Sequence, residues 1–173
     1  NGKRIPEPTF DFRDKWYTEK VDSQELVWND IRILNETGHA GLILSIVTNE
    51  SPIAVFGIKL SFIPFTNYLI RRSNITDNGL VLALIDKDGQ IISSSLSGSL
   101  RPSRSGSLIK SNQLKNLVLN KIVNGFLSED KIEINEINKQ KWFVISNSFS
   151  MLNNSSPLFL IAAVPMDSFF SKL

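Results

Sequence analysis

The feature that most constrains the fold is the segment LVLALIDKDGQIISSS at Leu80–Ser95. Two apolar runs flank Asp86-Lys87-Asp88-Gly89, where Gly89 can take the positive φ that a tight turn needs. Two carboxylates before a glycine also suggest a calcium loop. The other oxygen ligands and the terminal Glu of that motif are absent, so the pattern favours a hairpin turn.

The sequence after this hairpin alternates between a helix and further strands. A Ser/Gly/Pro-rich loop at 97–107 precedes a predicted helix at Ser111–Gly125, with Leu114, Leu117, Val118 and Ile122 on one face. Apolar runs then predict strands at 131–138, 141–150 and 157–165, followed by a helix from Met166. Five antiparallel strands with a helix across one face form an α+β layer.

The first part of the chain has a similar layout. A weakly patterned helix is predicted at 16–26, followed by strands at 26–34, 42–49 and 53–60 that are joined by turns, the first at 35–41. Phe62, Phe65, Tyr68 and Leu69 then recur at helical spacing, with Ser61 as the N-cap, which predicts an amphipathic helix at 61–73.

Composition excludes several classes of function. The chain has 19 basic and 17 acidic residues and no dense basic block, so nucleic-acid binding is not expected. It has no cysteine and a single histidine, His39, which rules out disulfides, thiolate sites and multi-histidine metal sites. The longest apolar run, Leu158–Met166, is far shorter than the roughly 20 residues of a membrane-spanning helix.

No catalytic constellation is recognisable in the sequence. Serines are plentiful, but no Gly-x-Ser-x-Gly motif is present, and His39 lies in a predicted turn. Nothing in the spacing of Asp and Glu places two carboxylates together as an acid–base pair. We therefore expect this chain to have no enzymatic activity, no cofactor and no metal.

Five segments resemble the extracytoplasmic double Cache sensor domains, which consist of two PAS-like modules. DKWY at 14–17 is similar to the family's Arg-x-Trp-Tyr segment, and WNDIRI at 28–33 to its Trp-x-Asp-Pro-Tyr strand. VFGIKLSFIPF at 55–65 is similar to its Gly-Val-Asp-Ile strand. LALIDKDGQIISS at 82–94 is similar to the opening hairpin of the second module, and LFLIAAVPMDSFFSKL at 158–173 to its closing strand and exit helix.

The resemblance implies an α+β fold with PAS-like antiparallel sheets and flanking helices. On this basis residues 1–60 are a partial membrane-distal module that lacks the family's long N-terminal helix and first strands. Residues 61–78 are a connecting helix and linker, residues 79–165 a complete membrane-proximal module, and residues 166–173 the start of an exit helix.

The resemblance also identifies candidate ligand-binding residues, namely Arg13, Trp16, Tyr17, Arg32 and Lys59. In relatives that bind amino acids, an Arg two residues before the Trp grips the ligand carboxylate. That position holds Asp14 here, with Arg13 one residue earlier. Arg32 replaces a pocket Tyr, and Lys59 replaces the Asp that grips the ligand amine. Because a lysine repels an ammonium group, the family's usual mode of amino acid binding is not favoured.

Each candidate has an alternative interpretation. Trp16 and Tyr17 form either the aromatic wall of a pocket or a core plug beneath a loop. Arg32 and Lys59 form either an anion site, since a guanidinium can bind a carboxylate or phosphate with two hydrogen bonds, or two solvated side chains on an outward face.

The expected function is that of an extracytoplasmic, periplasmic sensor domain in an inner-membrane protein. It would bind a small molecule, a carboxylate or other anion being one candidate, and signal through its exit helix. The output domain would be a nucleotide cyclase, histidine kinase or chemoreceptor module. The resemblance further implies a homodimer in the full-length receptor, with membrane contact only through flanking segments. The alternatives are a ligand-free dimerisation or protein-interaction module and a cytoplasmic PAS-like module.

Overall fold

The computed structural model of the 173-residue chain describes residues 27–28, 31–34, 37–48, 55–76, 79–96, 108–110, 113, 116–126, 130–150 and 156–170. These residues belong to two compact units, the first drawn from residues 1–30 and 43–59 and the second from residues 31–42 and 60–173. The helix predicted at 16–26 and the loop predicted at 97–107 lie outside the described residues. The predicted division into two modules at residue 60 stays a prediction.

Four strands precede the first described helix: β1 (Val27–Trp28), β2 (Arg32–Leu34), β3 (His39–Val47) and β4 (Val55–Ser61). Strand β3 pairs antiparallel with β1 and with β2, and it also pairs with β4.

Strand β3 begins three residues earlier than the sequence pattern predicts. Gly38 takes a φ of 66°, and its amide donates to the Leu34 carbonyl at 2.8 Å, so the turn after β2 is tight. The pairing of β3 with β2 therefore starts at His39, which lies opposite Leu34.

A six-stranded antiparallel sheet forms the body of the second unit. Its strands in spatial order are β7-β6-β5-β10-β9-β8. The last strand in sequence, β10, is inserted between β5 and β9, with Ala163 opposite Val81. The strands are β5 (Val81–Asp86), β6 (Gln90–Ser94), β7 (Ile109–Lys110), β8 (Lys131–Ile137), β9 (Gln140–Phe149) and β10 (Leu158–Pro165).

The turn between β5 and β6 confirms the predicted hairpin. Gly89 has a φ of 72°, as a tight turn requires. The Asp86 carboxylate accepts hydrogen bonds from the amides of Asp88 at 2.9 Å and Gln90 at 2.8 Å. The carboxylate therefore holds the turn as an Asx-turn. Burial raises the pKa of Asp86 above its ordinary value, and the two amide hydrogen bonds only partly offset this effect.

The described residues of the second unit also form three helices: α1 (Ile63–Thr76), α2 (Leu117–Phe126) and α3 (Met166–Phe170). The Ser61 hydroxyl accepts a hydrogen bond from the Ile63 amide at 3.2 Å, which confirms the predicted N-cap of α1. Helix α1 packs on β5 and β6. Its end is tied to the start of β5, because the Ser73 hydroxyl donates to the Leu80 carbonyl.

Helix α2 begins later than predicted, and its buried face matches the predicted one only in part: Ile122 is buried and Val118 packs against the same apolar cluster. The Asn116 side chain accepts a hydrogen bond from the Leu119 amide at 3.0 Å, so Asn116 is the N-cap. Leu119, Ile122 and Val123 are at most 1% exposed, whereas Leu117 is 55% exposed. The prediction that Leu117 faces the core was wrong, and Leu114 lies outside the described residues.

Two apolar clusters lie against the sheet of the second unit. One joins α2 to residues such as Val81, Ile85, Val144 and Ile161. The other packs Leu84, Ile92, Leu108 and Leu158 against Ala40, with Ile33, Phe62 and Phe65 beside them. Helix α2 and helix α1 with the β2–β3 hairpin therefore cover the sheet through different sets of side chains.

We expect Ile122→Ala to lower the free energy of unfolding by about 2–5 kcal/mol, because it leaves a cavity beneath α2. Leu117→Ala on the same helix removes an exposed side chain and should change it by less than about 0.5 kcal/mol. Urea unfolding of both variants measures the difference. Equal effects would show that α2 does not bury Ile122.

Asp86 should give the unfolding free energy a specific pH dependence. Because its pKa is raised in the folded state, ionisation disfavours folding. The associated stability is fully present below the ordinary pKa of an aspartate and is lost as pH rises through the folded pKa. Asp86→Asn keeps an acceptor for the turn but cannot ionise. Its stability relative to the wild type should therefore rise, in urea unfolding, as the pH increases from below the ordinary pKa of an aspartate through the folded pKa of Asp86, and a flat difference would contradict the prediction.

Candidate ligand-binding site

The candidate site is centred on Arg32 in the short hairpin of β2 and the start of β3. Arg32 lies opposite Gly41, and Ile33 lies opposite Ala40. Since neighbouring residues of a strand point to opposite faces, Arg32 and Gly41 share one face and Ile33 and Ala40 share the other. The Ile33 face packs into an apolar cluster of the second unit, so Arg32 points away from that cluster.

Gly41 makes room for the tight packing of this hairpin. A Cβ atom at this position would overlap the Leu34 side chain and would lie 2.9 Å from the Leu60 carbonyl oxygen. The backbone of β3 can approach both neighbours only because residue 41 has no side chain. The sequence pattern placed Gly41 in a turn. Because Gly41 directly precedes an apolar run, the sequence could have indicated that the backbone of this strand packs closely against its neighbours at that position.

The Arg32 guanidinium is placed unusually for a charged group. The residue as a whole is half-buried, and its Nη2 atom is buried. Within the described part of the chain, Nη2 has no hydrogen-bond partner. A buried donor on a charged group is costly to leave unsatisfied, and a carboxylate or phosphate is the partner that a guanidinium fits best. An anion is therefore the kind of partner that would satisfy this buried donor.

The structure does not test whether the other predicted site residues lie near Arg32. Lys59 lies on β4 with an exposed side chain and belongs to the first unit, whereas Arg32 belongs to the second. Arg13, Trp16 and Tyr17 lie outside the described residues. The shared anion site of Arg32 and Lys59 and the aromatic wall stay predictions.

A small cavity lies on the opposite face of the β2–β3 hairpin, in the second unit. It has a volume of about 20 Å³ and a mainly apolar lining that includes Ile33, Ala40, Phe62 and Ile92. Thr66, which also lines it, donates a hydrogen bond to the Ser93 hydroxyl at 3.0 Å. A space of this size holds about one water molecule. This cavity is therefore too small to be the ligand pocket.

Other kinds of site have no support in the described residues. Among them, no group of three or more His, Cys, Asp or Glu side chains is placed to hold a metal ion. The described helices are also too short or too polar for any of them to cross a membrane.

No protein-family model matches this chain, and no curated protein sequence matches it significantly. Several solved structures do share its fold. The ligand-binding domain of the Pseudomonas aeruginosa amino acid chemoreceptor PctC, solved with GABA, matches 94% of the chain with a TM-score of 0.60 and 14% identity. The corresponding domain of the Pseudomonas fluorescens chemoreceptor CtaA, solved with L-isoleucine, matches 99% with a TM-score of 0.55 and 16% identity.

A third similar structure is the periplasmic sensory domain of the Campylobacter jejuni chemoreceptor Tlp1. It matches 94% of the chain with a TM-score of 0.60 and 16% identity. The chain spans only 66% of the PctC domain, 65% of the CtaA domain and 58% of the Tlp1 domain. The chain thus has the fold of the Cache-type ligand-binding domains of bacterial chemoreceptors, which confirms the predicted resemblance and the α+β class at the level of the fold.

Proposed function

We propose that this chain is the extracytoplasmic input domain of a membrane receptor and that it binds a small carboxylate or other anion through Arg32. The single observation that carries the proposal is the buried Nη2 atom of Arg32, which has no hydrogen-bond partner within the described residues. The fold shared with chemoreceptor domains supports the role of an input domain. It does not identify the ligand, so the class of ligand is argued from Arg32.

The ligands of two similar domains agree with an anion anchor. The PctC domain was solved with GABA and the CtaA domain with L-isoleucine. Both molecules carry a carboxylate group. A guanidinium can hold such a group through two parallel hydrogen bonds, and these are among the strongest that proteins form. Lys59 and the aromatic residues Trp16 and Tyr17 are proposed as further contacts.

Binding at Arg32 would act by shifting a conformational equilibrium. A ligand changes that equilibrium only by the difference between its affinities for the two states. Strand β4 ends at Ser61, which caps α1, and strand β10 ends at Pro165, directly before α3. We propose that these two helices pass the shift to an output domain, such as a chemoreceptor module, a cyclase or a histidine kinase.

A thermal-shift screen against small carboxylates, phosphates, amino acids and amines tests the proposal. A ligand at 100 times its Kd should stabilise the folded state by about 2.7 kcal/mol, which corresponds to a shift of several degrees. We expect hits among carboxylates or phosphates. Arg32→Met, which keeps an apolar stem, should weaken their binding by roughly 10-fold to 100-fold, the value of one charge-assisted contact.

Arg71→Met is the matched control, since Arg71 is exposed on α1. It should leave both the affinity and the Tm unchanged. A ligand that binds Arg32→Met as tightly as the wild type would show that Arg32 is not the anchor. A panel without hits would favour the interaction module instead.

The unliganded variants give a second readout. A buried charge without a partner costs stability, so Arg32→Met should leave the Tm of the free domain equal or higher. A lower Tm in Arg32→Met than in Arg71→Met would indicate that Arg32 has a structural role and not a binding role.

A further inference from the structure

Two polar side chains of β9 are buried without a hydrogen-bond partner. Trp142 is 7% exposed and Ser146 is 2% exposed. Within the described residues, neither the Trp142 Nε1 atom nor the Ser146 hydroxyl is hydrogen-bonded. Leaving a buried donor or hydroxyl unsatisfied is costly, and most such groups in proteins are paired with protein atoms or with a bound molecule. A bound partner would remove this cost for both groups.

Both side chains face the layer between the sheet and α2. Trp142 belongs to the apolar cluster beneath α2, as do Val144 and Ile161. Ser146 lies directly opposite Ile161 and two residues after Val144. Residues that are opposite each other in neighbouring strands, or two apart in one strand, lie on the same face of a sheet. The Ser146 hydroxyl therefore enters the same layer as the Trp142 indole.

Small side chains form part of the floor of this layer. Ala83, Ser94 and Ala163 are all buried. Ala83 lies opposite Ser94 on one side and Ile161 on the other, and Ala163 lies opposite Val144, so all of them share the face of Ser146. Protein interiors are close-packed. The space above these small side chains must therefore be filled either by larger neighbours or by a bound molecule.

The chemistry of the unpaired groups favours a neutral molecule. An indole N–H can only donate a hydrogen bond, whereas a serine hydroxyl can donate and accept. The buried residues of the α2 cluster are apolar, and on the same face of β8 Lys131 and Glu133 already form an ion pair at 2.5 Å. A charged molecule would lose its hydration here without gaining a counter-charge. A neutral amide offers a carbonyl that accepts from the indole and an N–H that donates to the hydroxyl.

We propose that the layer between β9 and α2 is a second ligand site, which binds a small neutral amide or related carbonyl compound through Trp142 and Ser146. This site is separate from Arg32. The β2–β3 hairpin packs against Leu84 and Ile92, whereas the neighbouring Ala83 and Ile85 face α2 on the other side of the sheet. The proposal therefore does not depend on the anion site.

The indole N–H of Trp142 gives a direct readout by nuclear magnetic resonance. The chain has three tryptophans, so three indole signals are expected, and Trp142→Phe identifies the signal of Trp142. Acetamide, propionamide and butyramide are titrated into the isotope-labelled chain, each beside the carboxylate of the same length. We expect the amides to shift the Trp142 signal in a saturable manner and acetate, propionate and butyrate to leave it unchanged.

Two results of this titration overturn the proposal. One is that none of the amides causes a saturable shift. The other is that a carboxylate shifts the Trp142 signal as strongly as its amide, because a charged group then enters the site. The same titration in Arg32→Met should give unchanged amide affinities. Failure of the anion site and failure of this site are therefore distinguishable.

Ser146→Ala tests the hydroxyl contact. It should weaken amide binding by roughly 2-fold to 10-fold, the value of one neutral hydrogen bond. Ser93→Ala is the matched control, because Ser93 is equally buried but its hydroxyl accepts a hydrogen bond from Thr66 of α1, on the opposite face. It should leave the amide affinity unchanged. Equal losses in both variants would show that Ser146 does not contact the amide.

The ligand-free variants distinguish this site from a layer that is already filled. If the hydroxyl is unsatisfied and space is available, Ser146→Ala should keep or raise the Tm. Ser146→Val fills the space and should also keep or raise the Tm while preventing amide binding. A lower Tm in Ser146→Ala would show that an internal water already satisfies the hydroxyl. A lower Tm in Ser146→Val would show that side chains already fill the layer. Either decrease overturns the proposal.

Discussion

The pairing of β10 with β5 is the interaction on which the second unit depends. Residues Leu158–Ala163 of β10 lie opposite β5, and the whole strand lies opposite β9. Ile161 and Ala163 are at most 1% exposed. Strand β10 therefore joins the early hairpin to the late one. Without it, the two halves of the sheet would have unpaired backbone edges in the interior, which is energetically costly.

The same pairing brings the two proposed signalling helices together. Because β5 and β10 are antiparallel, the start of β5 at Val81 lies opposite Ala163, near the end of β10. Helix α1 therefore ends, and helix α3 begins, at the same end of these two strands. A Cβ atom at Gly79 would lie only 3.2 Å from the Pro165 side chain. The end of α1 and the start of α3 are therefore separated by a very short distance. Proximity alone does not establish coupling, which requires an element with two arrangements that both sites bias.

Most strands and helices of the second unit were predicted from sequence patterns that depend only on neighbouring residues. The Asp86–Gly89 turn, the Ser61 cap and the alternation in β8 depend on neighbouring residues, so the sequence alone sufficed. The site was harder to predict, because burial of the Arg32 guanidinium depends on a hairpin whose closure requires glycine at position 41. The buried face of α2 was predicted only in part. Val118 and Ile122 face the core as expected, but Leu117 lies in the exposed first turn, and tertiary packing buries Leu119 and Val123 instead.

The late position of β10 in the chain affects how the protein is made in the cell. A ribosome adds residues N-terminal first, so β5 and β9 are both synthesised before the strand that separates them. Until β10 is in place, each of the two presents an open edge that can pair with other strands. The sheet closes only through contacts between residues far apart in sequence, from Leu158 with Asp86 to Ala163 with Val81. A partly folded chain in which β10 is not yet in place therefore exposes both strand edges at once, and this is the stage of folding at which aggregation is most favoured.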